Sequence, residues 1–143
     1  MPGDFVLSAD AQAAARREFE AQNGIPPDRF CGLTAGDMSR AIVAHDGGAR
    51  QPGQPVGYDP LASAETRLGW LREAFGPDAD VESIRLRMQC FGGRLSAALK
   101  LDWLQDNADF ERAVAEGLER HYPDLSADAR AVIGGSYAYS HWK

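Results

Sequence analysis

Ile84-Arg85-Leu86-Arg87-Met88-Gln89-Cys90 alternates an apolar with a polar residue at every step. That is the pattern of a strand with one face in a core. The same region carries a second pattern. Ile84, Met88, Phe91, Leu95 and Leu99 recur at steps of three and four, which places them on one stripe of a helix. The two readings lead to different folds, because a strand here needs partner strands. Composition separates them. Leu, Arg, Met and Gln favour helix, and Ile84 is the one β-branched residue of the seven. No other segment reads as a matching strand. The region from Val81 to Gln105 is therefore read as helical, with Gly92-Gly93 inside it or between two pieces. Paired glycines within a helix cost about 2 kcal/mol relative to alanine. A kink, a close helix contact or the backbone approach of a ligand would offset that cost.

The flanking segments are helical too. Asp59-Pro60 reads as an N-cap followed by a first-turn proline. Leu61, Ala64, Leu68, Leu71 and Phe75 then form a core stripe that Gly76-Pro77 ends. Asp106 or Asn107 caps the next helix, in which Phe110, Val114, Leu118 and His121 share a face before Tyr122-Pro123. Upstream, Ser8 caps a helix over Ala11 to Gln22 that Asn23-Gly24 stops, and its small apolar face suits the edge of a domain. Thr34 caps another, with Met38, Ala41, Ile42 and His45 on one face, ending at Asp46-Gly47-Gly48. Leu125-Ser126-Ala127-Asp128-Ala129 opens the last helix, and Gly134-Gly135 weakens it ahead of the aromatic end. This opening echoes Leu7-Ser8-Ala9-Asp10-Ala11, but so short a match marks two good helix starts and no repeat.

The expected fold is all-α: a single compact domain over residues 1–143, with five to six helices, orthogonal or bundle-like. One long Gly/Pro loop spans 47–58, with four glycines and two prolines in twelve residues. Loops of that length are uncommon in compact domains and often functional.

Composition bounds the function. The chain has 143 residues, 44% hydrophobic and 25% charged, enough for a core without a staple. A net charge of −6 argues against nucleic acid and against an anionic membrane surface. It favours a basic partner. Thirteen arginines against two lysines, with 23 alanines, fit a GC-rich coding sequence and so a bacterial source. Cys31 and Cys90 stand far apart, outside any metal-ligand or CxxC spacing, and are expected reduced. The first residues lack the basic and apolar regions of a signal peptide, and no apolar run is long enough to span a bilayer, so the cytoplasm is the expected location.

No phosphate loop, zinc signature, EF-hand loop or nucleophile elbow occurs. No cofactor and no metal site is expected. The first functional reading is an acidic protein-binding module: an inhibitor, an immunity-type protein or an adaptor meeting a basic protein partner. Tyr58, Trp70, Tyr137, Tyr139 and Trp142 supply aromatic anchors, with Asp59, Glu65 and Glu73 as charged rim. The second is a small-molecule site or small enzyme, its inter-helix pocket closed by the aromatic C-terminal tail. His45, His121, Tyr137 or His141 would then transfer protons. A homo-oligomer built through the tail is the third.

The tail deserves its place in both readings. Two of the four tyrosines, one of three tryptophans and one of three histidines lie in the last seven residues. Such an end carries a large apolar surface and is expected to dock. Arg85, Arg87 and Arg94 would either form a cationic strip for an anion or pair internally with carboxylates.

Overall fold

The computed structural model describes residues 8–48 and 57–142. Among them the chain forms six helices and no strand: α1 (Ala9–Gln22), α2 (Ala35–Asp46), α3 (Ala64–Phe75), α4 (Val81–Leu99), α5 (Asn107–His121) and α6 (Ala127–Trp142). The fold is all-α. The contested stretch at 84–90 lies wholly within α4.

Serine, threonine and aspartate start these helices. Ser8, Thr34, Ser63, Asp80 and Asp106 each accept a hydrogen bond from a backbone N–H of the first turn. Ser126 does the same for the Ala129 N–H. Its own N–H donates to the buried Ser39 hydroxyl at 2.9 Å, which fastens the start of α6 to α2.

α2 and α4 form the centre. α2 packs on α3, α4 and α6, and α4 packs on α3 and α5, while α5 and α6 pair closely. The main core gathers Met38 and Ile42 from α2, Phe91 and Leu95 from α4, Phe110, Val114 and Leu118 from α5, and Val132 and Ile133 from α6. A smaller core joins Ala41, Leu71 and Val81, flanked by Leu68, Phe75 and Ile84. α4 lies between the two, so its apolar arc is wide. Ile84 faces the small core, Leu86 the large one, and Met88 touches both. Helix α1 sits at the margin. Phe19 reaches the core, and Glu20 forms a buried ion pair with Arg94 of α4.

Four expectations need correction. The helical reading of Val81 to Gln105 holds only as far as Leu99, where Lys100 turns left-handed at φ 50° and ends α4. Helix α3 does not begin at Asp59-Pro60; Ser63 caps it. The Asp59 N–H is drawn to the Asp46 carbonyl at 2.8 Å, and its Oδ1 accepts from the Leu61 N–H. That turn sends Leu61 into solvent, 89% exposed, and out of the stripe. His121 does not complete the α5 stripe either. It is exposed, and Tyr122, four residues after Leu118, fills the place instead. The Tyr122 ring meets Phe91 edge-on at 5.1 Å and tilts against Phe30 at 6.0 Å. Finally, α6 runs through Gly134-Gly135 unbroken. Gly135 lets α6 approach Tyr58 closely: an added Cβ would lie 3.1 Å from the Tyr58 Cβ and 3.2 Å from its backbone nitrogen. Of the expected 47–58 loop, residues 49–56 lie outside the described residues.

Candidate functional site

The end of α2 is where packing and chemistry meet. A helix leaves its last four carbonyls without intrahelical partners. Here Arg67 of α3 takes the His45 carbonyl through Nη1 at 2.7 Å and the Asp59 carbonyl through Nη2. The Asp59 N–H takes the Asp46 carbonyl. Arg67 is only 12% exposed, and its Nη1 also lies 3.7 Å from the Asp46 carboxylate. The guanidinium thus opposes the negative helix end and clamps α2 to the start of α3.

His45 and Asp46 are fixed by that clamp. The His45 Nδ1 is 2.6 Å from Asp46 Oδ1. A carboxylate on Nδ1 sets the ring's orientation and tautomer, so Nε2 is the nitrogen through which His45 would act on another molecule. Both residues line a cleft of about 730 Å³ between α2, α4 and α6, with Ala64 and Arg67 of α3 at its edge. Its floor is apolar, built from Ile42, Met88, Phe91, Leu95 and Ile133. Trp103, from the α4–α5 connection, forms one wall. Tyr137 of α6 forms another, its hydroxyl 2.7 Å from the Ser96 hydroxyl and its ring 6.2 Å from that of Trp103. Burial pushes the Tyr137 phenol above its usual range, and the Ser96 bond pulls the other way. Arg85 and Gln89 of α4, with Ser136 and Ser140 of α6, complete the polar lining. Gly92 leaves the floor open, since an added Cβ would meet nothing within 4 Å.

The expected proton-transfer residues therefore divide. His45 and Tyr137 share the cleft. His121 is exposed at the end of α5, and its carbonyl accepts from Arg29. His141 stacks on Phe110, ring centroids 4.0 Å apart, with Nε2 3.0 Å from the Gln105 carbonyl. That histidine holds the tail in place. The expected binding residues divide as well. The Tyr58 and Tyr139 rings meet at a tilt, centroids 5.9 Å apart and both half-buried, with the Arg67 guanidinium 5.9 Å from the Tyr58 ring. Asp59 is bound up in its turn. Trp70 is half-buried on α3, where Glu65 and Glu73 are exposed. Trp142 is 66% exposed.

Of the arginine strip, Arg87 donates to the Cys31 carbonyl and Arg94 pairs with Glu20. Only Arg85 reaches the cleft. Both cysteines are buried free thiols; burial pushes Cys31 up to about 11 and raises Cys90 too. Such thiols are poor nucleophiles at neutral pH. Among the described residues no cluster of three or more His, Cys, Asp or Glu is placed to hold a metal, and no helix is long and apolar enough to cross a membrane.

Sequence reasoning missed Arg67 and Trp103. Arg67 lies within the α3 stripe region and carries no motif; its role depends on the turn at Asp59. Trp103 stands in Asp102-Trp103-Leu104-Gln105-Asp106, where two large apolar residues in a short polar connection were the available signal. Trp103, Leu104 and Trp142 are 49%, 95% and 66% exposed at one end of the molecule. The Trp103 ring lies 6.2 Å from that of His141, the neighbour of Trp142. No protein-family model, curated protein or solved structure matches this chain.

Proposed function

We propose that the protein binds a small molecule in the cleft between α2, α4 and α6, with His45 as the polar group presented to it. One observation carries this reading: the Asp46-oriented imidazole of His45 borders an apolar cleft of about 730 Å³. Ligand sites are typically concave, apolar and furnished with a few convergent polar groups, at roughly 300–1,000 Å³. The C-terminal tail, expected from sequence to close the pocket, contributes Tyr137 to its wall. A fragment screen read by amide chemical shifts tests the proposal. Hits should perturb Ile42, Gly92 and Ser136 together, and His45→Gln should weaken them without changing the fold. Hits scattered over the surface, or none, would refute it.

A second reading is favoured by the exposed Trp103, Leu104 and Trp142 beside Asp102 and Asp106. Exposed large apolar side chains with acidic residues close in sequence suit a basic protein partner, as an inhibitor, immunity-type protein or adaptor would require. Retention of a basic protein by the wild type, lost in a Leu104→Arg, Trp142→Arg double variant, would support it. Equal retention by both would exclude this surface.

A further inference from the structure

The charge of the cleft runs against the charge of the chain. The protein carries six excess negative charges. Yet Arg67 and Arg85 line the cleft against one carboxylate, Asp46, among the described residues. That carboxylate is already engaged by His45 Nδ1 and lies 3.7 Å from Arg67. Both contacts fall on its Oδ1, and they partly offset its charge. Arg67 is held by two carbonyls and contributes its field from a nearly buried position. Arg85 differs. Its partner is Glu82, one turn earlier on α4, at 3.1 Å, with side chains 38% and 58% exposed. Exposed pairs of that kind contribute little and exchange readily. A guanidinium at the rim can therefore turn to a ligand at the loss of one weak surface pair. Gln89, Ser136 and Ser140 add donors beside it.

The floor sets the remainder of the ligand. Phe91, Leu95, Met88 and Ile133 offer apolar surface, Trp103 offers a ring face, and the missing side chain at Gly92 leaves depth. Apolar area of this kind rewards a hydrocarbon body, and aromatic walls reward a flat one. A cation would meet the Arg85 guanidinium at the rim, and a like-charge contact discriminates against it.

We infer that the cleft is built for an organic anion with a flat apolar body, its charged head toward Arg85 and His45 and its body over Phe91 and Gly92. The inference rests on the reading of the cleft as a ligand site and adds the chemical class.

Three probes of one shape test it: 2-naphthoate, neutral 2-naphthamide and cationic 2-naphthylmethylammonium. Affinity is read by calorimetry, and location by amide shifts at Ile42, Gly92 and Ser136. The expected order is naphthoate first, by about tenfold over the amide, with the ammonium weakest. Arg85→Gln should remove most of the naphthoate advantage and leave amide binding unchanged. If all three bind at Gly92 with equal affinity, or the ammonium binds best, the anion assignment fails and the ligand site stands. Should none bind there, both fail. A Leu104→Ser, Trp142→Ala variant identifies binding at the exposed end: lost naphthoate affinity in that variant would also overturn the assignment.

Discussion

Cys31 occupies an unusual position for a residue with a side chain. Its φ is +55°, in the left-handed region, and its thiol is fully buried. The turn that holds it is built by Asp28, whose Oδ1 accepts from the Phe30 and Gly32 N–H groups, and by Arg87, which takes the Cys31 carbonyl. Burial raises the thiol to about 11. It raises Cys90, Tyr122 and Tyr137 as well. The consequence for stability has a definite sign. Below the ordinary thiol range these groups are protonated in both states and contribute no pH dependence. Above it the unfolded chain releases protons that the folded chain retains, so stability falls as pH rises. For Cys31 the loss reaches on the order of 2 kcal/mol as pH approaches the folded value. Urea midpoints should hold steady from pH 7 to about 8.5 and fall between about 9 and 10.5. Cys31→Ala should flatten part of that fall. A midpoint flat to pH 10.5 in the wild type would contradict the burial of these groups. The burial of Cys90 beside Phe91 was legible in the α4 stripe. That of Cys31 was not, because it depends on a loop folding back against Arg87, 56 residues away in sequence.

Helix α4 shows what element-level reading can resolve. Its alternation at 84–90 mimics a strand because α4 is apolar on two sides, toward each core. Residue propensities outweighed the alternation, and they do so physically: straight side chains lose little freedom in a helix. Gly92-Gly93 needed one of three compensations. The helix is continuous from Val81 to Leu99, and neither glycine is held by a close contact, with Arg16 Cδ at 4.0 Å the nearest neighbour of a Cβ on Gly93. Gly92 lines the cleft, and Gly93 is exposed. Alanine at either position should stabilise the fold by up to about 1 kcal/mol. Only Gly92→Ala should also narrow the cleft and weaken naphthoate. Thermal melts and calorimetry on the pair separate the effects. If both variants bind like wild type, Gly92 serves no ligand. Start positions were less legible than stripes. Asp59-Pro60 carries every local mark of a helix start, and a hydrogen bond to Asp46 from across the loop overrides it.

At the scale of the whole molecule, the aromatic end was the most informative feature of the chain, and its docking followed from apolar area alone. Which side chains dock could not be read, because a helix through Gly134-Gly135 fixes the facing of every residue after it. With α6 continuous, Tyr137 and His141 fall on one face, four apart, against Trp103 and Phe110. Trp142, one residue on, leaves that face and is mostly exposed. Tail residues should therefore differ sharply in their contribution to stability. Tyr137→Ala removes a partly buried ring and leaves the Ser96 hydroxyl without its partner, and should cost about 2–3 kcal/mol. Trp142→Ala removes a larger ring that water already covers, and should stay within about 0.5 kcal/mol. Urea denaturation of the two variants decides between a tail that is integral through one face and a tail packed all round. Equal losses would mean that Trp142 is buried against the protein in solution, and the end formed by Trp103, Leu104 and Trp142 would then offer no free surface to a partner. A loss confined to Tyr137→Ala leaves that surface open while tying the same helix into the wall of the cleft, so that a ligand beneath Trp103 and a partner above it would share one side chain.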